Sequence, residues 1–386
     1  MSHLPIGLQK KGQLTRITSI MSASQAPPPE IIAALEKQKL TRVEDVSVKI
    51  TTSLFGLAMC DALGGPAEFH RRDTFPHIDS MVPNYNFDLP PGVWTDDTSL
   101  ALCLASSLIE NPGGGGGGTA GFSVQDQAAR YVDWWRNGYM SAVGRCFDIG
   151  MATRQALHLW MCDKDAAWDI VQREFDRFGK CGNGSLMRVL PVALVFWRDP
   201  EEAMALARKS SAVTHPHLLC QEACAVYVLL VSKVLQWAEE KAEVSKMDLL
   251  HLLQNFPFTS QQLKDKFGEN SKTSFVTKSR GSVSSSGYVL STLEAALWAF
   301  LNTESFEEGA ILVANLGDDA DTVGAVYGGL AGAWYADAKF SQDLPQRTAF
   351  WTPRVREWRE ALVESNVVED VAEGLVKVNH PQSLPT

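Results

Sequence analysis

Residues 316–336, LGDDADTVGAVYGGLAGAWYA, carry the feature that most restricts the fold of this chain. Gly324, Gly328 and Gly332 recur at every fourth position, so on a helix they form one smooth stripe, with Gly329 beside it. Each glycine inside a helix costs about 1 kcal/mol relative to alanine. Such a helix is tolerable where the missing side chains let a second helix approach very closely. The spacing therefore predicts a central, tightly packed helix.

Acidic residues crowd the N-terminal end of this predicted helix, at Asp318, Asp319 and Asp321. One aspartate there is an ordinary cap that also suits the helix dipole. Three carboxylates repel one another unless a cation lies among them, and Asp318 is the one we expect to face solvent or to cap. Residues 95–98, TDDT, open a second apolar helix in the same way. If the two helix starts meet, their oxygen-only ligand set suits two Mg²⁺ or Mn²⁺ ions rather than zinc; the alternative is two capped helices.

Helical periodicity dominates the rest of the sequence. Residues 97–110 place leucines on one stripe with small apolar residues beside it, and residues 221–240 and 291–303 also have a helical pattern. Alternating valine-rich runs, which are typical of strands, are scarce. The pattern predicts an all-α protein in which the helix at 97–110 is nearly buried.

Two stretches interrupt the helical pattern. Residues 111–121 include six consecutive glycines, and residues 259–287 are polar and rich in serine. Both predict flexible loops, and the second has a lid over a site as its alternative. Because the composition does not change across either stretch, we predict one domain over residues 31–386. Residues 1–30 are basic up to Glu30 and predict a disordered tail or a weak mitochondrial presequence.

Charge and cysteine usage narrow the class of protein. The formal net charge is −10, whereas a general nucleic-acid binder needs clustered lysine and arginine. We find no apolar run of the roughly 18 residues that span a membrane. The seven cysteines form no CxxC pair, which indicates free thiols in a reducing compartment and argues against zinc. We expect a cytoplasmic monomer, or a mitochondrial one if the basic N-terminal segment is a presequence.

Two further stretches, 56–69 and 182–185, place polar residues among small or apolar ones. Asp61 and Glu68 bracket a Gly-Gly-Pro turn that should end a helix, and apolar neighbours would raise the pKa of Glu68 for acid–base work. The GNGS sequence at 182–185 predicts a backbone cradle for an anion at a helix start. His215 precedes another helix, where it could contact a ligand. Each also has a plain structural reading: a surface glutamate, a common turn and a core histidine.

In this order, the polar stretches resemble those of the ADP-ribosylglycohydrolase family, which includes the dinitrogenase-reductase-activating glycohydrolase and the ADP-ribosyl-arginine and ADP-ribosyl-serine hydrolases. The matching pieces are GLAMCDALGGPAEF, WTDDTSLAL, GNGSLMR, the Thr214-His215 pair, SGYVLSTLEAALWAF and NLGDDADTVGAVYGGLAGAWY. Family members usually read GDALG where this chain has CDALG, with Cys60 in place of glycine. The two loop stretches are longer than in compact members.

The resemblance implies a single-domain, all-α orthogonal bundle of many helices with a centre of two Mg²⁺ ions, or Mn²⁺. The metal ligands that it implies are Thr95, Asp96, Asp97, Asp319, Asp321 and Thr322. The catalytic residues that it implies are Glu68, Asp97 and Asp321. The substrate-binding residues that it implies are Gly182, Asn183, Gly184, Ser185 and His215.

The same resemblance implies hydrolysis at the anomeric carbon of ADP-ribose carried by a modified protein or a small molecule. Arginine is the expected linkage, because the last two matching segments are most similar to the nitrogenase-regulating branch. The alternatives are serine-linked ADP-ribose, an acetyl or phosphate ester of ADP-ribose, and a silent relative that only binds ADP-ribose. An isoprenoid synthase also uses aspartates on helices, but its DDxxD spacing fails at residues 96–100, which read DDTSL.

Overall fold

The computed structural model describes residues 27–111, 121–269, 271, 274–341 and 348–379. Across these residues it contains sixteen α-helices and no β-strand, with three isolated β-bridges, which confirms the all-α prediction. Most of the predicted tail at 1–30 and of the predicted loop at 111–121 lies outside the described residues. The helices are α1 (Pro29–Lys37), α2 (Ser47–Gly64), α3 (Asp96–Glu110), α4 (Val124–Asn137), α5 (Met151–Cys162), α6 (Lys164–Phe175), α7 (Leu190–Phe196), α8 (Pro200–Ala212), α9 (Leu218–Glu239), α10 (Lys246–Gln254), α11 (Gln261–Phe267), α12 (Val289–Asn302), α13 (Phe306–Ala314), α14 (Ala320–Tyr335), α15 (Pro353–Ala361) and α16 (Ser365–Asn379).

The helices predicted from hydrophobic periodicity are α3, α9 and α12, and each ends close to its predicted bounds. α3 is buried from Asp96 to Leu108, as its small and apolar residues predict. An amphipathic face needs a partner, and a helix that is apolar on most sides needs partners all round. These three helices therefore lie in the core, and the acids at the start of α3 are carried inward with it.

The glycine stripe of α14 packs directly on the backbone of α2. A Cβ atom added at Gly328 would lie 2.1 Å from the carbonyl oxygen of Gly56. One added at Gly332 would lie 2.5 Å from the carbonyl oxygen of Thr52, and one at Gly324 would lie 2.6 Å from a third carbonyl oxygen of α2. Real Cβ atoms do not approach oxygen so closely, so only glycine fits along this line. The predicted close approach of a second helix is confirmed.

The close contact between α2 and α14 continues to the N-terminal end of α14. A Cβ atom added at Gly64 would lie 2.5 Å from the Cα atom of Asp321. Cys60, which stands where family members usually have glycine, is buried and fits because Gly324 and Gly328 face it. All seven cysteines lie within the described residues. None of them forms a disulfide, as predicted.

α9 is a core helix that has the length and composition of a membrane span. Among the described residues it is the one helix that is long and apolar enough, and 83% of its most apolar window is buried inside the protein. It contains no uninterrupted apolar run of that length, because Glu222 and Lys233 lie within the helix. The Glu222 carboxylate accepts backbone N–H groups of Thr259 at 2.9 Å and Ser260 at 2.7 Å, which satisfies the buried charge.

The Ser-rich stretch at 259–287 is not one flexible loop, contrary to the prediction. It contains α11 and two 3₁₀ turns, Phe275–Thr277 and Arg280–Ser282. Arg72 ties its C-terminal part to the core by donating to the carbonyl oxygen of Val283 at 2.7 Å. These elements are too short for hydrophobic periodicity to show them. Ser286 and Gly287, at its C-terminal end, line the cavity of the candidate site.

Candidate metal and substrate site

The N-terminal ends of α3 and α14 meet and bring the two acidic clusters together. Thr322 Oγ1 on α14 lies 3.4 Å from Asp97 Oδ2 on α3, and both Asp97 and Asp321 are buried. Neither N-cap residue, Thr95 or Asp319, caps its own helix through its side chain. The alternative of two separately capped helices is therefore wrong. The burial of Asp97 and Asp321 therefore has a cause other than helix capping.

Asp61 of α2 caps α3 from outside that helix. Its carboxylate accepts the backbone N–H of Thr98 at 3.0 Å and that of Thr95 at 3.0 Å. The hydroxyls of the same two threonines lie 2.5 and 2.9 Å from its oxygens. Four donors match the lone pairs of one carboxylate, so Asp61 orients the start of α3. Burial raises the pKa of Asp61 to about 6, and these hydrogen bonds oppose that rise.

Three buried carboxylate oxygens at this junction have no hydrogen-bond partner within the described ranges: Asp97 Oδ1, Asp321 Oδ1 and Glu68 Oε2. Buried polar atoms are ordinarily paired, so three together indicate a missing positive partner. Ligand atoms of Asp61, Asp97 and Asp321 lie within 4.8 Å of one another, as do those of Glu68, Asp319 and Asp321. These acidic groups, which share Asp321, could hold a metal ion.

Burial and mutual repulsion raise the pKa values of the clustered carboxyl groups. Burial, followed by the charges of Asp148, Asp319 and Asp97, raises the pKa of Glu68 to about 10, which confirms the predicted direction. Burial and then the charge of Glu68 raise the pKa of Asp321 well above its usual range. Such a cluster cannot be fully ionised near neutral pH without a cation.

The other predicted ligands surround this cluster. Thr95 Oγ1 lies 2.9 Å from Asp97 Oδ2. Asp96 faces the cavity above the cluster, where burial and the charge of Asp148 raise its pKa. Asp318 is exposed, as expected, and is not a member of either acidic group.

The GNGS turn reaches the cluster through Asn183 rather than through a helix start. α7 begins only at Leu190, so the predicted cradle at a helix N-terminus is wrong. Asn183 Nδ2 donates to Asp319 Oδ2 at 2.6 Å and to Thr292 Oγ1 at 2.9 Å. The two amide protons of Asn183 are thus both used. The side chain orients Asp319, a role that the sequence did not indicate.

The remaining residues of the turn differ in where they point. Gly182 and Gly184 line the cavity, together with the buried His215. Ser185 does not line the cavity: its hydroxyl accepts from the hydroxyl of Ser211 at 2.8 Å in the core. Four of the five predicted substrate-binding residues therefore face one space, Asn183 among them.

The cavity above the carboxylates has a volume of about 600 Å³, a size that suits a nucleotide-like ligand. Its wall includes residues that the sequence did not single out: Phe69, Asp148, Met151, Thr153, Ser286 and Gly287. Asp148 matters most, because its charge helps to raise the pKa of Glu68. It is a lone acid in the irregular segment CFDIG, where no periodicity or clustering marks it.

Two residues with left-handed backbone hold the loops that carry Glu68 and Asp319. Phe69 has φ of 64° and Asp318 has φ of 56°. The Phe69 N–H donates to the Asp318 carbonyl at 2.7 Å, and the Asp318 N–H donates to that of His70 at 2.7 Å. Such a conformation costs a bulky residue on the order of 1–3 kcal/mol and is concentrated at functional sites.

Comparisons with known proteins agree with this geometry. The sequence model described as ADP-ribosylglycohydrolase matches residues 42–384. The ADP-ribosylarginine hydrolase Tri1 of Pseudomonas putida (strain GB-1) is 34% identical over 81% of this chain and 77% of its own. The ADP-ribosyl-[dinitrogen reductase] glycohydrolase of Rhodospirillum rubrum is 27% identical over 73% of this chain and 84% of its own. A solved ADP-ribosylglycohydrolase-related protein complex has a TM-score of 0.67 and 32% identity, covering 87% of this chain and 100% of that chain. The isoprenoid-synthase alternative is thereby excluded, and the chain belongs to the ADP-ribosylglycohydrolase family.

Proposed function

We propose that the protein is a metal-dependent hydrolase that removes ADP-ribose from a modified arginine side chain. The observation that carries this proposal is the set of unpartnered oxygens of Glu68, Asp97 and Asp321 beneath the cavity. A silent ADP-ribose binder would need no such set, because three uncompensated carboxylate oxygens destabilise a buried site. Their retention favours an enzyme.

The donor set fits hard divalent cations, which we propose to be two Mg²⁺ ions, with Mn²⁺ as a substitute. Asp321 belongs to two acidic groups, one with Asp97 and one with Asp319, and this arrangement supports two ions rather than one. When bound, such ions stabilise negative charge that develops on oxygen. The residues that would hold them are Thr95, Asp96, Asp97, Asp319, Asp321 and Thr322.

We propose that Glu68 moves the proton in this reaction. Its Oε2 is buried and unpartnered, and its side chain lines the cavity. In the proposed reaction, the oxygen of water bonds to the anomeric carbon while the bond from that carbon to the guanidinium nitrogen breaks, leaving its electron pair on nitrogen. Glu68 Oε2 takes a proton from the water and returns one to that nitrogen. The products are free ADP-ribose and unmodified arginine, and the transition state resembles an oxocarbenium ion.

The wall beside Glu68 favours a cationic leaving group. Asp148, which is not among the proposed metal ligands, faces the same cavity as Glu68 and adds negative charge to it. A guanidinium group is planar, always charged and complementary to carboxylates, whereas a serine hydroxyl leaves without charge. This complementarity, with the arginine-specific name of the Pseudomonas relative, supports arginine as the linkage.

The opposite wall is proposed to bind the rest of ADP-ribose. Gly182 and Gly184 line the cavity with backbone alone, and the His215 ring lies beside both glycines. Ser185, which faces Ser211, is not proposed as a contact. Asn183 is proposed to act mainly through Asp319.

The experiment that tests the proposal is release of free ADP-ribose from an arginine-ADP-ribosylated peptide, first with Mg²⁺ and then with EDTA. Serine-linked peptide and acetyl-ADP-ribose are assayed beside it, and Asp321→Asn serves as the inactive control. Metal-dependent release from the arginine peptide supports both the chemistry and the linkage. Release from another substrate alone would overturn the linkage, and no release from any of them, with ADP-ribose bound, would favour a silent relative.

A further inference from the structure

Arg188 is a fully buried cation that forms no ion pair among the described residues. Its Nη1 donates to the carbonyl oxygen of Gly184 at 2.7 Å, and its Nη2 donates to Thr214 Oγ1 at 2.7 Å. Its guanidinium carbon also lies 4.6 Å from the ring centroid of Tyr131. A buried charge is costly unless its hydrogen bonds are good ones. One of its two hydrogen bonds holds Gly184 in the cavity wall. The other holds Thr214, which contacts His215 in the same wall.

The bond between Arg188 and Thr214 fixes the direction of the next one. A guanidinium can only donate, so Thr214 Oγ1 must accept from Arg188. The single proton of that hydroxyl is then available for His215 Nδ1, which lies 2.7 Å from Thr214 Oγ1. Among the described residues that proton has no other acceptor, so His215 Nδ1 accepts it. A neutral imidazole whose Nδ1 accepts carries its proton on Nε2.

The Nε2 edge of His215 faces the cavity. A Cβ atom added at Gly182 would lie 3.6 Å from His215 Nε2, and one at Gly184 would lie 3.4 Å from it. All three residues line the cavity. Because neither glycine has a side chain, the His215 Nε2–H can face the cavity. Burial, together with the positive charges of Arg188 and Lys180, lowers the pKa of His215 to about 3.

We propose that Arg188 and Thr214 are positioning residues that fix His215 as a neutral Nε2–H donor to an acceptor oxygen of bound ADP-ribose. The identity of that ligand rests on the proposed function, whereas the tautomer rests on the hydrogen bonds alone. No proton is transferred: His215 holds one hydrogen bond to the ligand in a single orientation. A lysine at position 188 would carry its donors on one nitrogen and would lack the planar fork whose two nitrogens reach Gly184 and Thr214 separately.

The test measures the tautomer directly. Long-range proton–nitrogen correlation spectra of the full-length protein, labelled with ¹⁵N-histidine, report which ring nitrogen carries the proton, and the signals lost in His215→Gln assign His215. We expect an Nε2–H pattern in the wild type and in Thr214→Ser. In Thr214→Val, which keeps the shape and removes the hydroxyl, we expect a mixture of tautomers and ADP-ribose binding weaker by on the order of 10-fold, the effect of one lost hydrogen bond.

An Nδ1–H or doubly protonated His215 in the wild type would overturn the proposal, and this outcome needs no variant to fold. Unchanged tautomer and unchanged ADP-ribose affinity in Thr214→Val, with native circular dichroism, would overturn it as well. If wild-type His215 is Nε2–H and ADP-ribose does not bind, the proposed ligand fails while the assignment of the relay through Thr214 is upheld.

Discussion

The amide nitrogen of Asn183 lies 2.6 Å from a carboxylate oxygen of Asp319, and this contact joins the wall of the cavity to its acidic floor. The other proton of the amide goes to Thr292 Oγ1 at 2.9 Å. One amide hydrogen of Asn183 thus orients Asp319, and the other fixes Asn183 itself to Thr292. A residue that orients a ligand in this way commonly affects metal affinity by about 10- to 100-fold.

Asn183→Leu is predicted to weaken Mg²⁺ or Mn²⁺ binding by about 10- to 100-fold, because it keeps the approximate shape of the side chain and removes the donor that orients Asp319. Calorimetric titration with each metal measures the change. Asn137→Leu is the matched control, since the exposed Asn137 donates to Asp133 at 2.6 Å and does not line the cavity. Equal metal affinity in wild type and Asn183→Leu would contradict the positioning role.

Asp97→Asn and Asp321→Asn are each predicted to abolish turnover while the fold survives. Each change removes a buried negative charge that repels its neighbours, so the metal-free variant should melt no lower than the metal-free wild type. ADP-ribose release and thermal melting are measured on the same preparations. Asp318→Asn, which changes the exposed aspartate next to the cluster, should keep most of the activity. Near-wild-type turnover of either inner variant with metal present would sink the proposed ligand set.

The stabilisation conferred by Mg²⁺ is predicted to grow with pH. Unfolded Asp and Glu lose their protons near pH 4, whereas burial raises the pKa of Glu68 to about 10 and that of Asp321 above its usual range. The metal-free fold then binds more protons than the unfolded chain, so its stability falls as pH rises from about 4 toward the raised values. A cation replaces those protons. The rise in Tm on adding Mg²⁺ should be larger at pH 8 than at pH 5, and an equal rise at both would count against the cluster as its site.

Gly328→Ala is predicted to lower the free energy of unfolding by roughly 1–3 kcal/mol, the usual cost of overpacking. The added methyl would lie 2.1 Å from the Gly56 carbonyl oxygen, which belongs to a helix backbone and cannot move aside alone. The better helix propensity of alanine, about 1 kcal/mol, offsets only part of this cost. Urea unfolding measures the change. Gly281→Ala, where an added Cβ meets nothing within 4 Å, is the control, and equal losses in both variants would argue against the close contact of α2 and α14.

The sequence predicted those parts of the fold that depend on local periodicity. The glycine stripe of α14 and the apolar faces of α3 and α12 are visible as spacings, because a helix places every third or fourth residue on one side. α11 spans only Gln261–Phe267, less than two full helical turns, so periodicity cannot distinguish it from a loop. Glu222 and Lys233 interrupt the apolar run of α9. In the fold, two backbone N–H groups and Arg208, at 3.5 Å, stabilise the Glu222 carboxylate.

The candidate site likewise contains some contacts that the sequence predicts and others that it does not. The convergence of Asp97 and Asp321 was predictable, because acids at two buried helix starts are costly unless they meet around a cation. The capping of α3 by Asp61 was not, since it joins residues of different helices and leaves no spacing in the sequence. Asp148 has no neighbouring acid in sequence, and only the folded chain brings it beside Glu68. The position of Ser185 in the turn predicts a substrate contact, but its hydroxyl points into the core and accepts from Ser211.

The trans-capping of α3 by Asp61, together with the contact of Gly64 on Asp321, has a consequence for refolding. The groups that would bind metal come from two segments far apart in the chain, with Asp97 and Thr322 separated by 225 positions. α2 must dock with both segments before these groups are ordered. Contacts so distant in sequence form slowly, because a long loop must close first. Metal affinity should therefore emerge late during refolding, after most helical signal has returned. Adding metal at successive times during refolding, and measuring how much binds, would show when the starts of α3 and α14 come together.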